Sequence, residues 1–306
     1  ALDLKPGDEV ITTPMTFCAT LNAILHAGAR PVLVDCEKDT QNIDAAQVAR
    51  KVTRKTRAIL PVHFAGRPCD MDALMALARK RKLAVVEDCA HAIETEYRGK
   101  KAGTFGDFGA LSFYVTKNIT TAEGGMLITD NAEHAGKIKM LALHGMSKDA
   151  WKRFSDKAHT HYEVVYPGFK YNMTDLQASL GVHQIPRVDK YWRRRRDIWN
   201  RYTAALSGLP CGLPAPPEKN TRHAYHLYTL MVDIDRLSKT RDEVLYALAD
   251  LKVGTGVHYR ALHLQPYYRQ ILGHKPGDFP NAEFISERPL SIPLSPKLSD
   301  EDVDYI

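Results

Sequence analysis

Short apolar segments recur through the first half of this sequence, each bounded by turn residues and separated from the next by a helical pattern. Such a run is typical of a strand buried on both faces, and helices between strands favour a parallel sheet. Strands are predicted at 10–12, 31–35, 58–63, 83–87, 110–114 and 126–129, and helices at 20–27 and 70–82. We therefore expect an α/β fold whose mainly parallel central sheet is covered by helices.

Two further helices are predicted near the middle of the sequence. Thr174 and Gln177 have the spacing of a capping box, which predicts a helix that continues to Gln184. Pro186 marks a break, and a long charged helix is expected over 188–206.

The last third of the sequence is predicted to form a smaller α+β domain. The Pro- and Gly-rich segment 208–219 is typical of a connector. Beyond it, the patterns predict strands at 225–232 and 256–259 and a helix at 240–251. We expect a large domain at 1–195 and a small domain at 196–306.

Composition and charge argue against several classes of protein. The sequence contains no apolar run of about 18 residues and no charged-then-apolar leader, so no membrane association is expected. The net charge of +6 is too small to predict nucleic-acid binding, and the basic run Arg193–Arg196 is expected to be a solvated helix face. Five cysteines without a C-x-x-C pair favour neither a zinc site nor a disulfide framework, which indicates the reducing cytoplasm.

The segment V-V-E-D-C-A-H-A, residues 85–92, places two carboxylates and a histidine where a predicted strand ends. The carboxyl ends of strands in an open α/β sheet face the ligand crevice, so Asp88 is expected there. On spacing alone, Asp88 could instead cap a helix, and His91 could be a satisfied loop histidine. A metal site of Asp88, Cys89 and His91 lacks a convincing further ligand, so no metal is expected.

Lys117 follows the predicted strand 110–114 and precedes a small polar turn and a Gly-Gly pair. A lone lysine is usually a solvated cation, but a buried strand and a glycine turn favour partial desolvation. Desolvation lowers the pKa of the amine and makes its neutral form available for Schiff-base chemistry. Lys117 and Asp88 together match the needs of pyridoxal phosphate (PLP), which takes a lysine on its aldehyde and a carboxylate on its pyridinium nitrogen.

Four motifs carry a resemblance that covers nearly the whole chain. They are P-M-T-F-C-A-T-L-N-A at 14–23, E-D-C-A-H-A at 87–92, S-F-Y-V-T-K-N-I-T-T-A-E-G-G-M at 112–126 and G-F-K-Y-N-M-T-D-L-Q-A at 168–178. In this order they resemble the DegT/StrS family of sugar aminotransferases, a branch of the fold type I PLP-dependent enzymes. The resemblance implies that architecture and an aminotransferase that uses PLP.

The resemblance also implies roles for individual residues around the cofactor. Lys117 would form the Schiff base and later move a proton between the sugar carbon and the cofactor. Asp88 would pair with the pyridinium nitrogen, and His91 would lie near the ring hydroxyl.

Three more residues are implied as cofactor ligands. Phe17 looks like the aromatic residue stacked on the ring, and Ser112 resembles a phosphate ligand. Asn172 resembles the asparagine that reaches into the neighbouring subunit's phosphate site. The resemblance therefore implies a homodimer with shared active sites.

The segments 144–154 and 254–268 resemble C4 aminotransferases that act on UDP-linked 4-keto-sugars, including those that make UDP-4-amino-4-deoxy-L-arabinose. This resemblance implies such a substrate, with glutamate as the amino donor. His258, Arg260 and His263 could contact the sugar nucleotide, because a diphosphate suits the planar fork of arginine. Alternatively, these three residues could belong to a solvated loop of the small domain.

The family normally has an upstream helix, entered through a Gly-Thr turn that holds the PLP phosphate, and this sequence begins after it. The segment Asp302–Ile306 resembles part of a final helix. Both ends of the sequence are therefore expected to be short relative to the family. The rival function from another class is a non-catalytic protein of the same fold that acts as a sensor or regulator.

Overall fold

The computed structural model describes residues 1–147 and 163–306. The strands of its first half are β1 (Glu9–Thr12), β2 (Arg30–Leu33), β3 (Thr56–Ile59), β4 (Ala84–Asp88), β5 (Glu96–Tyr97), β6 (Lys100–Lys101), β7 (Phe108–Ser112) and β8 (Gly125–Ile128). Six of them form the central sheet in the order β2-β1-β3-β4-β7-β8. Each strand predicted in this half is present, with its ends moved by a few residues.

The central sheet is mainly parallel, as expected. β1 pairs in parallel with β2 and β3, β3 with β4, and β4 with β7, whereas β8 runs antiparallel to β7. Parallel neighbours bring their carboxyl ends to one edge of the sheet. Asp88 ends β4 and Ser112 ends the adjacent β7, so both lie at that edge.

The helices cover the sheet and build the second half. They are α1 (Cys18–His26), α2 (Ala45–Lys51), α3 (Met71–Arg81), α4 (Ala132–Leu141), α5 (Asp175–Gln184), α6 (Val188–Ala205), α7 (Ile234–Leu237), α8 (Arg241–Asp250), α9 (Pro266–Leu272), α10 (Pro280–Glu287) and α11 (Asp300–Tyr305). The predicted capping box of Thr174 and Gln177 is present at the start of α5. No helix of the described residues combines the length and apolar character needed to cross a membrane.

Both faces of the sheet are buried around β1, where successive side chains point to opposite sides and each side packs in its own core cluster. Val10 packs with Ile24 of α1 in one core cluster. The next residue, Ile11, packs with Ile59 and Leu74 of α3 in another. The apolar runs of the sequence lack alternation for this reason.

The second half forms the smaller α+β part. Its strands are β9 (Cys211–Gly212), β10 (Thr221–Arg222), β11 (Tyr228–Val232) and β12 (Pro289–Ile292). β11 lies between β12 and β9 in an antiparallel sheet, while β10 pairs with β5. Trp199 of α6 packs with Tyr228 and Leu290 in the core of this part.

A further cluster joins the two halves of the chain. Met15 and Leu21 pack against Leu262, Tyr268 and Ile285, which lie between β11 and β12 in sequence. The helix α6 runs across the expected boundary at 195/196. The division into 1–195 and 196–306 stays a prediction.

Two local predictions are wrong. The segment 256–259 forms only an isolated bridge between Gly256 and Ser291, so it is not a regular strand. Arg195 of the basic run is 5% exposed, and its guanidinium donates to the carbonyl of Leu294 at 2.8 Å. The run Arg193–Arg196 is therefore not uniformly a solvated helix face, because α6 buries one side against the small domain.

Candidate active site

Asp88 is held at the carboxyl end of β4 by two donors. The Thr20 hydroxyl of α1 donates to Asp88 Oδ2 at 2.8 Å, and the backbone N–H of Ala90 donates to Oδ1 at 3.1 Å. Thr20 is paired in turn with Thr16, with 2.8 Å between their hydroxyl oxygens. A turn follows Asp88, so it does not cap a helix. These contacts orient the carboxylate and leave it half-buried at the sheet edge.

Lys117 lies in the turn after β7 and is half-buried. Burial lowers the pKa of its amine, and the negative charge of Asp88 partly opposes that shift. The two groups are thus close enough to interact electrostatically across the ends of adjacent strands. A lysine with a lowered pKa presents more of the neutral amine that attacks a carbonyl.

His91 lies in the turn after Asp88 with both ring nitrogens engaged. The backbone N–H of Ala65 donates to Nδ1 at 3.3 Å, so the ring proton is on Nε2, which lies 3.3 Å from the Tyr259 hydroxyl. Burial, together with the charges of Lys117 and His258, holds the pKa of His91 well below its usual value. His91 is therefore neutral. We call Lys117, His91 and Tyr259 the Lys117 cluster.

The other expected cofactor residues differ in their surroundings. Phe17 is 58% exposed, at the start of α1, with its ring centroid 6.1 Å from that of Tyr259. The Ser112 hydroxyl accepts from the Tyr114 N–H at 3.3 Å. Asn172 is exposed, and its side chain accepts a hydrogen bond from Lys170, so within the described chain it does not contact the cluster around Lys117.

Of the three candidate substrate residues, His258 alone interacts with the cluster. Its Nδ1 lies 2.9 Å from the Ser291 hydroxyl. Burial and the positive charge of Lys117 lower the pKa of His258 to about 4. Arg260 is exposed and lies two residues after His258, so its guanidinium is accessible to an anionic ligand.

The expectation for His263 needs correction. Its side chain has no exposed surface, its Nε2 lies 3.0 Å from Glu283, and its ring packs on Phe279. A side chain enclosed by its own fold cannot reach a substrate, so His263 is a core residue that supports α10.

The buried histidines predict a pH dependence of stability. Between pH 6.5 and about 4 the unfolded chain binds a proton at His258 that the folded chain does not, so stability falls as the pH falls through this window. At about pH 5 this one residue should cost about 2 kcal/mol. Urea unfolding of the parent, His258→Gln and the exposed control His26→Gln checks this. An equal loss of stability on acidification in parent and His258→Gln would contradict it.

Several residues of this site carry no local signal in the sequence. Thr20 and Tyr259 lie inside motifs that were recognised, but nothing in their spacing marks Thr20 as the partner of Asp88. Asn118 follows Lys117 directly, yet its contacts with Glu94 and His226 join residues far apart in sequence. Only the fold brings these side chains together.

One group of side chains in the described residues has the proximity required of metal ligands, namely His63, Glu87 and Cys89. It differs from the trio of Asp88, Cys89 and His91 considered above. The Cys69 N–H donates to His63 Nδ1, so the other nitrogen carries the proton and donates to Glu87 at 3.1 Å.

Hydrogen bonds account for this buried group without an ion. Glu87 also accepts from the backbone N–H groups of Gly103, Phe105 and Gly106 at 2.7–2.8 Å. Burial raises the pKa of Glu87, but these bonds and His63 outweigh it and hold the pKa below its usual value. Burial raises the pKa of the Cys89 thiol well above its usual value, which disfavours the thiolate that binds metals.

The arrangement at the sheet edge fits pyridoxal phosphate. It offers an amine with a lowered pKa at Lys117, an oriented carboxylate at Asp88, an uncovered aromatic ring at Phe17 and a hydroxyl at Ser112. These groups match the aldehyde, the pyridinium nitrogen, the ring face and the phosphate of that cofactor.

Comparison with known sequences identifies relatives along the entire chain. The protein is 50% identical over 304 residues to the uncharacterized protein MJ1066 of Methanocaldococcus jannaschii, which covers 99% of this chain and 78% of the relative. It is 49% identical over 308 residues to the spore coat polysaccharide biosynthesis protein SpsC of Bacillus subtilis, with 100% and 79% covered.

Solved structures share the fold. The Streptococcus pneumoniae protein described as "Putative sugar aminotransferase Spr1654", in its PMP-form, superposes with a TM-score of 0.92 at 35% identity, over 100% of this chain and 81% of that one. PseC of Helicobacter pylori, an aminotransferase involved in the biosynthesis of pseudoaminic acid, gives 0.89 at 28% identity, over 98% and 77%.

These findings confirm the expected fold type I architecture, the aminotransferase activity and the cofactor, and they argue against a non-catalytic regulator. The model of the DegT/DnrJ/EryC1/StrS aminotransferase family matches residues 1–306. The chain therefore belongs to the DegT/DnrJ/EryC1/StrS aminotransferase family.

Proposed function

We propose that this aminotransferase moves the amino group of glutamate to a 4-keto-sugar linked to UDP. The observation that carries the proposal is the Lys117 amine, whose pKa is lowered by burial beside the charge of Asp88. An amine in this state would hold the cofactor's aldehyde and exchange there with the amino groups of the donor amino acid and of the product amino sugar. The cofactor supplies the electron-poor ring on which an amino group is exchanged.

The residues of the chain divide the remaining tasks. The Lys117 amine moves a proton at the reacting sugar carbon, and Asp88 keeps the cofactor's ring nitrogen protonated. Thr20 and the Ala90 N–H hold Asp88 in place. Phe17 offers its exposed ring as a stacking surface, and Ser112 contributes a hydroxyl for the phosphate.

Support for a sugar nucleotide comes from relatives and from the edge of the site. The names of SpsC and PseC connect those proteins with polysaccharide and pseudoaminic acid biosynthesis. His258 interacts with the Lys117 cluster. Arg260 lies two residues later and is exposed, so its guanidinium could bind a diphosphate. Residues 148–154 of the segment 144–154, which suggested C4 amination, lie outside the described residues.

A panel of nucleotide keto-sugars tests the substrate. The purified protein with PLP and glutamate is offered UDP-linked and dTDP-linked 4-keto-sugars and a 3-keto-sugar, and the amino sugar is identified by mass spectrometry. We expect the UDP-linked 4-keto-sugar to give the highest kcat/KM. Arg260→Ala should raise KM about tenfold or more with little change in kcat, because it removes a charge-assisted contact to the diphosphate. Equal kcat/KM with the dTDP-linked sugars would contradict the choice of nucleotide.

We further propose a homodimer with shared active sites. A band of apolar side chains around α5 is exposed in the single chain, from 61% to 82% of each; its members are Val164, Tyr171, Leu176, Val182 and Ile185. Exposed apolar surface of this extent favours association with a second copy of the chain. Asn172 lies inside this band, just before the capped start of α5, where backbone N–H groups suit a phosphate of the partner.

Subunit complementation tests the shared site. Lys117→Ala and Asn172→Ala proteins, each impaired alone, are mixed under conditions that allow exchange of subunits. About a quarter of the parental activity should return, because half of the randomly formed dimers contain one intact site of two. If labelled subunits exchange and no activity returns, Asn172 does not serve the partner's site.

A further inference from the structure

The Asn118 side chain, adjacent to Lys117, is held at both ends. Its amide nitrogen lies 2.9 Å from the Glu94 carboxylate and 3.0 Å from the Ala224 carbonyl. The Ala224 carbonyl can only accept a hydrogen bond, so this end of the amide must be the NH₂ group. The orientation of the amide is therefore determined by its surroundings.

That orientation decides the protonation of a buried histidine. The amide oxygen of Asn118 lies 2.9 Å from Nδ1 of His226, and an oxygen can only accept, so Nδ1 carries the proton. The ring of His226 packs against that of His91, with 4.3 Å between the centroids and an angle of 33° between the ring planes. Burial, and then the positive charges of neighbours that include Lys117 and Arg195, hold the pKa of His226 well below its usual value. His226 is thus neutral, with an unprotonated Nε2.

The other end of this chain of contacts is a buried carboxylate. Glu94 is 1% exposed, and only its Oε2 has a hydrogen-bond partner among the described residues. Arg195 is also buried, and its charge stabilises the ionised form of Glu94. Burial nevertheless raises the pKa of Glu94 above its usual value. A carboxyl group placed at such a cost indicates a specific task for its one bonded oxygen.

We propose that Asn118 is a positioning residue, whose bonds to Glu94 and Ala224 hold the Lys117 turn and whose bond to His226 selects the Nδ1–H form of that histidine. The inference rests on the proposed role of Lys117 as the reactive amine. Asn118 joins the turn after β7 to the irregular segment before β11, so it ties the reactive lysine to the small domain. His226 then packs against the ring of His91 without adding a charge beside Lys117.

The test compares Asn118→Ala with Glu94→Ala and Glu94→Gln. The Glu94→Gln variant retains an oxygen that can accept from Asn118, whereas the Glu94→Ala variant does not. Asn118→Ala and Glu94→Ala should lower kcat roughly 10- to 100-fold, with KM for the sugar changed less than about threefold, because a small displacement of the reacting group is enough. Glu94→Gln should stay within about threefold of the parent. Asn200→Ala and Glu301→Gln, both exposed, are the matched controls.

A second readout does not depend on catalysis. The ¹⁵N chemical shifts of His226 in the protein without cofactor, assigned by comparison with His226→Gln, report which ring nitrogen carries the proton. The Nδ1–H form is expected in the parent and in Glu94→Gln, and a mixture or the Nε2–H form in Asn118→Ala. If the parent transfers no amino group, the proposed function fails, while the tautomer still decides the inference.

Two results would overturn the inference. One is an Asn118→Ala protein that unfolds at a lower temperature but keeps parental kcat and the Nδ1–H form of His226, since that pattern describes a residue needed only for stability. The other is a parent in which His226 carries its proton on Nε2. If Asn118→Ala does not fold, the comparison of Glu94→Ala with Glu94→Gln tests the inference instead. Equal kcat values in those two variants would contradict it.

Discussion

Replacement of Lys117 by alanine should lower turnover by at least about a thousandfold. The variant lacks both the amine that exchanges with the substrate's amino group and the base that moves the proton at the reacting carbon. Its fold should persist, because Lys117 lies in a half-buried turn whose backbone N–H bonds to the Tyr114 carbonyl at 2.9 Å whatever the side chain. Single-turnover and steady-state assays with glutamate and the keto-sugar measure the loss.

The matched control for this experiment is Lys297→Ala, which removes an exposed lysine. It should keep parental kinetics. The thermal midpoint of Lys117→Ala, and its absorbance after addition of PLP, distinguish a lost amine from a lost fold. A folded Lys117→Ala protein that turns over within tenfold of the parent would refute the assignment of the reactive residue.

Asp88→Asn should slow turnover by roughly a thousandfold. The attraction between the Asp88 carboxylate and a protonated ring nitrogen about 4 Å away is worth roughly 4 kcal/mol at an effective dielectric near 20. Most of this energy should stabilise the transition state rather than the ground state. Asparagine has nearly the same shape and can still accept from the Thr20 hydroxyl, which donates to Asp88 at 2.8 Å in the parent. The change therefore removes the charge with little effect on the packing.

The measurement is kcat for each half-reaction, with Asp250→Asn as the control at an exposed site. Thr20→Val should give a smaller loss of roughly tenfold, because it frees one oxygen of Asp88 without removing the charge. A loss below tenfold in Asp88→Asn would mean that Asp88 is a loop carboxylate. Glu87 could not then take the place of Asp88, because both of its carboxylate oxygens already accept hydrogen bonds within the core.

The order of strands and helices in the first half was accessible from sequence because its signals are local. A run such as 83–86 is apolar at every position when both faces of its strand are covered, and that pattern needs no knowledge of the partners. The capping box of Thr174 and Gln177 is likewise local. Asp88 and Lys117 could be selected because each follows such a strand within a recognisable motif.

The sequence misled wherever burial depends on distant parts of the chain. Arg195 looks like its basic neighbours, but its guanidinium meets carbonyls as far along as Leu294. His263 looks like a loop residue beside Arg260, yet Glu283 and Phe279 enclose it. No local pattern distinguishes an enclosed histidine from one that faces a ligand.

Sequence alone therefore determined the fold class and the family, and it selected Asp88 and Lys117 as the proposed reactive pair, because apolar strand runs and motif order are local features of the chain. Tertiary structure alone decided which groups surround that pair. Thr20 reaches Asp88 across 68 residues and Asn118 meets His226 across 108, so their contacts exist only once the sheet and the small domain are assembled. The lowered pKa of Lys117 has the same origin, because burial of its amine and the approach of Asp88 are both products of packing.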